Sequence, residues 1–191
     1  MTFDKTLAKT LAKTLGGSAL ALAVATAAFA ANPMVGGAPM LEERNIVENA
    51  VNSADHTTLV AAVQAAELVE TLQSEGPFTV FAPVNDAFAA LPEGTVDTLL
   101  MPENKAMLQK VLTAHVVAGD LSGAELMRRA KMSADGFYHF NAVSGDALSA
   151  QVRGDNLYIY DESGNAGMVT IADVDQSNGV IHVVDTVLVP R

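Results

Sequence analysis

Four histidines, His56, His115, His139 and His182, are the residues of this chain best suited to proton transfer or metal binding. None has another histidine two, three or four positions away, so the local helix and strand spacings of a metal site are missing. His115 lies four residues after Val111 and three after Leu112, which puts it on the apolar stripe of a helix. His182 shares a strand face with Val180 and Val184. Both read as half-buried side chains satisfied by hydrogen-bond partners, not as bases or ligands. His56, near a helix start, and His139, beside Tyr138, carry no chemical signal of their own.

The carboxylates give equally little. Asp173 to Gly179 begins like a calcium loop, but Asn178 stands at the glycine position and Val184 where the bidentate Glu belongs. Asp161, Glu162 and Asn165 form a weaker oxygen cluster that reads as a solvated loop. The sequence has no phosphate-binding glycine loop and no Gly-x-Ser-x-Gly elbow. Choosing two of its many acids as a glycosidase pair would be arbitrary. Arg153-Gly154-Asp155 spells RGD, a tripeptide read by some animal integrins, yet Gly and Asp are favoured there simply as turn formers. No catalytic residue, metal or cofactor is assigned.

The elements that hold these residues are legible from periodicity. Asn45 with Glu48 has the form of a capping box, and Ile46, Val47, Ala50 and Val51 give the helix behind it an apolar face. Asp55 is placed to cap a long amphipathic helix through Leu59, Ala62, Val63, Ala66, Val69 and Leu72, stopped by Gly76-Pro77. Phe78 to Ala82 is apolar on both faces and reads as a strand buried between layers. Pro83 ends it, Asn85-Asp86 turns the chain, and Asp86 is the expected N-cap of a short helix ending at Leu91-Pro92. Thr95 to Leu100 suits another helical turn. Pro102 opens a helix with Met107, Leu108, Val111 and Leu112 inward. Ser122 with Glu125 forms a further capping box, with Arg128, Arg129 and Lys131 at the negative end of the dipole.

From Phe137 the period changes to two. Leu148, Ala150 and Val152 alternate with polar neighbours, as do Leu157 and Ile159 with Tyr158 and Tyr160, and Gly154-Asp155 joins the two runs as a hairpin turn. Met168 to Ala172 follows, then the turn Asn178-Gly179 and the apolar run Val180 to Val189, expected at the centre of a sheet. Helices first and hairpins last argue an α+β domain.

Residues 1–30 stand apart. Lys5, Lys9 and Lys13 precede an apolar run from Leu15 to Ala28, and Ala28-Phe29-Ala30 supplies small residues at a cleavage point, the pattern of a removable export signal. Residues 31–41, with Pro33, Gly36, Gly37 and Pro39, read as a flexible lead-in to a single domain over 42–191. Removing the leader takes three Lys and one Asp from 11 basic and 22 acidic residues, leaving a formal net charge of −13. Nucleic acid and anionic membrane surfaces would repel such a chain. With no cysteine, neither disulfides nor thiol chemistry are available, so packing alone must hold the exported domain. No later segment is long and apolar enough to span a bilayer.

Three stretches taken together resemble the fasciclin domain family. "FTVFAPVNDAFAALP", from Phe78 to Pro92, resembles its first signature, usually seen with Thr or Ser at Val84. "LTAHVVAGDL", from Leu112 to Leu121, resembles its central Tyr-His segment, with Ala114 standing where many members carry Tyr. "SNGVIHVVDTVLVP", from Ser177 to Pro190, resembles its closing signature. The resemblance implies a wedge of β-strands, a two-sheet sandwich, flanked by a cluster of helices in the N-terminal half. It implies that Asn85, Asp86, His115, Gly179 and His182 are structural, His115 fixing a joint between helix and sheet. It also implies a non-catalytic role outside the cytoplasm, in the periplasm, at the cell surface or secreted. There the partner would be an extracellular or envelope protein or a polysaccharide. A soluble carrier of an apolar ligand such as a carotenoid is the alternative, with Met101, Met107, Met127, Met132 and Met168 as candidate cavity residues. A carboxylate-based hydrolase is the third reading.

Overall fold

The computed structural model describes residues 32–190; the expected export leader lies outside the described residues. Strand β1 (Met34–Val35) and strand β2 (Ala38–Pro39) form a small hairpin. Helix α1 (Ile46–Ala50) follows, then a 3-10 turn over Ala54–His56, α2 (Thr57–Ala65) and α3 (Val69–Gln73). Strand β3 (Phe78–Pro83) leads to α4 (Asn85–Ala89), α5 (Thr95–Leu99), a 3-10 turn over Pro102–Asn104 and α6 (Lys105–Thr113). Strand β4 (Val116–Ala118) and α7 (Gly123–Met132) complete the helical half. The rest is strand: β5 (Phe137–Asn141), β6 (Ala147–Arg153), β7 (Asn156–Tyr160), β8 (Ala166–Gln176) and β9 (Gly179–Val184).

Seven strands form one sheet in the order β4-β3-β9-β8-β7-β6-β5. β3 lies parallel to β9, and every other pair is antiparallel. The long strand β8 bends through irregularities between Val169 and Val174 and so joins the two halves of the wedge. The two most apolar strands, β3 and β9, sit side by side with neighbours on both edges, as their sequences predict. Their near-continuous apolar runs have a physical cause, since both faces of the sheet are covered there. Val80, Ala82, Ile181 and Val183 face a core shared with α1, α2, α4 and α6. Phe81 and Val184 face a second core with Leu126 of α7 and Leu148, Ala150, Leu157 and Ile159.

Several local expectations change. The lead-in is packed, not loose: Val35 and Met40 are buried in the first core, and Gly36 and Gly37 both take positive φ, as a tight primed hairpin turn requires. The expected long helix is two helices, α2 and α3, separated at Glu67, which has φ 55°. Asp55 does not cap α2; it lies inside the preceding 3-10 turn. Met107 points outward, at 60% exposure. The final apolar run leaves the sheet after Val184, and residues beyond it form an irregular tail whose Val187 and Leu188 are buried.

Candidate functional site

Two of the three buried histidines, His115 and His182, act as clasps. His115 follows the end of α6, and its ring joins that helix to the C-terminal tail. Its Nδ1–H donates to the Val111 carbonyl at 2.8 Å, and its Nε2 accepts from the Leu188 N–H at 2.8 Å. This pairing fixes the neutral tautomer with the proton on Nδ1. Burial drives its pKa down to about 4, against the opposing pull of the Val111 carbonyl and Asp161. Asp161 holds the next residue of the tail, its Oδ2 accepting from the Val189 N–H at 2.9 Å.

His182, on β9, is the mirror case. Its Nε2–H donates to the Leu121 carbonyl at 2.7 Å, and its Nδ1 accepts from the Asp173 N–H at 3.2 Å. The ring stacks on Phe81 with centroids 5.6 Å apart. Burial again lowers its pKa. Each ring therefore commits both nitrogens to backbone groups, leaving neither as a proton acceptor for a substrate. Of the other two, His56 is buried against Ser53, whose Oγ lies 2.8 Å from its Nδ1, and burial lowers its pKa. His139 lies exposed beside Asp135 at 2.9 Å.

The Asn85-Asp86 pair divides its roles differently from expectation. The N-cap of α4 is Val84, and Asp86 is an exposed first-turn residue, so the expected carboxylate cap is not formed. Asn85 caps a different helix. Its Oδ1 accepts from the Thr58 N–H at 3.0 Å and the Thr57 hydroxyl at 3.2 Å, at the open end of α2, while its Nδ2 donates to the Ala54 carbonyl at 2.8 Å.

Two further asparagines do similar work. Asn178 accepts from the Ile46 N–H at the start of α1 at 3.0 Å. It also donates to the Leu72 and Ser74 carbonyls at the end of α3, at 2.8 and 3.0 Å. Asn49 is fully buried; it accepts from the Leu41 N–H at 3.0 Å and donates to the Leu41 carbonyl at 2.7 Å and to Gln176. The local sequence marks Asn178 as a turn former and assigns no structural role to Asn49 or Asp161. The one available signal was an amide in an otherwise apolar helical face at Asn49.

Gly179 is required by close approach. A Cβ there would stand 1.9 Å from the Phe78 carbonyl oxygen, across the β3–β9 junction. The local capping box at Asn45 and Glu48 forms in both directions. At α7 only the Ser122 half forms, because the Glu125 carboxylate turns to Arg128 and Arg129. Those guanidinium groups hold the Glu125 pKa down at about 2.

Arg153-Gly154-Asp155 occupies the exposed β6–β7 turn, with Gly154 at φ 61°. The Arg153 side chain folds back over Tyr158 and Tyr160, 5.4 and 5.3 Å from the ring centroids. The calcium-like stretch is the bulged end of β8 and its turn into β9, with Asp173 accepting from the Gly123 N–H at 2.6 Å. Asp161 and Glu162 spend oxygens on Asn165, Val189 and Ala147. Among the described residues no group of three or more His, Asp or Glu side chains is placed to hold a metal ion.

An apolar cavity of about 110 Å³ lies between α1, α2, α3 and the sheet, lined by Ile46, Leu59, Val63, Leu72, Phe78, Val80, Leu112 and Val116 among others. None of the five candidate methionines lines it, and Met101, Met107 and Met132 are exposed at 44, 60 and 73%. The expected methionine-lined cavity is therefore replaced by one of branched aliphatic side chains.

Comparison with known proteins agrees with this architecture. The chain is 50% identical over 145 residues to protein sll1483 of Synechocystis sp., covering 76% of this chain and 73% of that protein. It is 42% identical over 144 residues to protein sll1735 of the same organism, covering 75% of this chain and 96% of that protein. The fold matches the FAS1 domain pair of the insect cell adhesion molecule fasciclin I with a TM-score of 0.67 at 16% identity, over 76% of this chain and 50% of that one. The sequence profile of the fasciclin domain matches residues 54–190. The chain belongs to the fasciclin domain family.

Proposed function

We propose that this protein is a non-catalytic binding module that works outside the cytoplasm, in adhesion or surface association with an envelope or extracellular protein or a polysaccharide. The observation that carries this reading is the commitment of four polar side chains, two buried and two half-buried, to the chain's own backbone. His115 and His182 spend both ring nitrogens on backbone groups, and Asn85 and Asn178 spend their amides as helix caps. What is left for function is surface. The relative whose fold it shares is described as a cell adhesion molecule, and the leader pattern fits export. Among the described residues no helix is long and apolar enough to cross a membrane. Acidity keeps the chain away from nucleic acid and anionic lipid. The Arg153-Gly154-Asp155 turn is the weaker adhesive contact, because its arginine is engaged by tyrosine rings. The test is a pull-down with the purified chain from native envelope and medium. Specific recovery of a surface component supports the reading. Turnover of a glycoside or ester that is lost on a single Asp or Glu substitution would overturn it.

A second reading, carriage of an apolar ligand, draws on the cavity beneath α1 to α3. Its volume decides how far this goes. An apolar void of roughly 150 Å³ accepts a benzene-sized guest, so about 110 Å³ takes one small ring or a chain end. A carotenoid requires the helices to part. Pigment absorbance in protein purified from its native source would favour this reading, and a colourless sample counts against it.

A further inference from the structure

The outward face of β5, β6 and β7 holds a cluster that neither the core nor the clasps account for. Strand register places Phe137 opposite Gln151 and Gln151 opposite Tyr158, and in the adjacent row His139 opposite Ser149 and Ser149 opposite Tyr160. Alternation turns these side chains away from Leu148, Ala150, Leu157 and Ile159, which face the core with α7. The Phe137 ring meets Tyr160 edge-on at 5.5 Å and lies over His139 at 6.1 Å. The Tyr160 hydroxyl donates to Gln151 Oε1 at 3.0 Å, and Arg153 Nε donates to the same oxygen at 2.8 Å. Phe137, Tyr158 and Tyr160 are half-buried and His139 is exposed. Cross-strand aromatic pairs do stabilise sheets. That gain does not explain why a chain with three tyrosines and no tryptophan keeps two tyrosines on a solvated face.

We propose that this face binds a neutral polysaccharide, with pyranose rings lying against Phe137, Tyr158 and Tyr160. The C–H face of a pyranose is apolar and weakly positive, and it complements the negative face of an aromatic ring. The Gln151 amide nitrogen, His139 Nδ1 and the Arg153 guanidinium edge, which extends over the Tyr158 and Tyr160 rings, supply planar polar groups for sugar hydroxyls at the platform edge; Gln151 Oε1 and His139 Nε2 are already taken by Tyr160, Arg153 and Asp135. Three strands at about 4.8 Å spacing and two side-chain rows about 7 Å apart give a platform wide enough for about two pyranose rings. The side chains are already braced by one another, so little ordering entropy remains to be lost on binding. Charge selects the class of glycan. The chain carries a net charge of −11 with its leader, and Asp135, Asp155 and Glu162 are exposed in the loops around this face, which disfavours a polyanion. The same repulsion disfavours a second copy of the chain.

This proposal rests on the surface-binding reading and narrows it to one face. Affinity electrophoresis of the full chain through gels containing a neutral glucan, a neutral mannan or the polyanion alginate tests it, together with tyrosine fluorescence during titration. The expected result is retardation by at least one neutral glycan with a tyrosine emission change, none by alginate, and at least a tenfold loss of affinity in Tyr158→Ala/Tyr160→Ala. Arg153→Ala, at an exposed turn, weakens binding with the circular dichroism spectrum unchanged and serves if the double variant does not fold. Equal retardation of variants and parent, retardation by alginate alone, or no retardation by any neutral glycan overturns the proposal. A dimer that dissociates in Arg153→Ala also overturns it, since the face is then a self-interface. Envelope recovery that persists in these variants leaves the general binding reading standing while this one falls; absent recovery with the parent chain removes both.

Discussion

His115 Nε2 accepts the N–H of Leu188 at 2.8 Å, joining the end of α6 to the C-terminal tail across 73 residues of sequence. With Asp161 on Val189, it anchors a segment that has left the sheet and would otherwise leave one buried and one partly buried backbone donor unpaired. His115→Ala removes the acceptor and the Val111 contact together. The expected cost is about 1–3 kcal/mol, the penalty for stranding buried partners. Thermal melts of variant and parent check it, and an unchanged midpoint would sink the clasp role.

The same ring makes stability depend on pH. In the unfolded chain a histidine titrates near 6.5, whereas folded His115 titrates near 4 and His182 is also lowered. Above about pH 6.5 both states are neutral and the full stability is present. As pH falls from about 6.5 towards 4 the unfolded state takes up a proton that the folded state refuses, and stability drops. For His115 the loss reaches about 3 kcal/mol. Urea denaturation at several pH values measures it. In His115→Gln the slope between pH 6.5 and 4 should shrink; an unaltered slope would show that other groups carry it.

Asn85 and Asp86 should separate cleanly. Asn85→Ala strips the cap from α2 and strands the Thr58 N–H, costing about 1–2 kcal/mol. Asp86→Ala loses only an exposed charge near the start of α4, and its effect is smaller. Equal melting shifts for the two variants would contradict the assignment.

The β8–β9 turn is the most demanding point of the fold. Asn178→Ala releases three hydrogen bonds to α1 and α3, with an expected loss of about 2–4 kcal/mol. Gly179→Ala drives a methyl into the Phe78 carbonyl and is expected to destabilise by at least about 3 kcal/mol. Denaturant midpoints within experimental error of the parent for either variant would refute this account of the turn.

What could be read from the sequence follows from how local each interaction is. The Asn45–Glu48 capping box closes over three residues, so its pattern sufficed. β3 and β9 announced themselves because burial on both faces writes a continuous apolar run. The cap of α2 escaped detection because its acceptor, Asn85, comes 27 residues after Thr58, and no local pattern marks it. The break at Glu67 was hidden for a different reason: neither Gly nor Pro occupies Ala66-Glu67-Leu68, so nothing in the local sequence marks the left-handed residue. In the lead-in, Gly and Pro suggest looseness by composition, but here they supply the chemistry of a hairpin turn that accompanies the burial of Val35 and Met40. The apolar neighbours of His115 and His182 mark their faces, though both are fully buried and not half-buried, and their partners at Leu188 and Leu121 required the fold.

The claim that this protein acts by surface binding is tested most directly by a binding isotherm of the purified, labelled chain on envelope material from the cells that produce it. Saturable binding, competed by unlabelled chain and accompanied by no chemical change in the bound component, is the predicted result. Binding that rises linearly without saturation, or saturable binding accompanied by cleavage of the bound component, would contradict it.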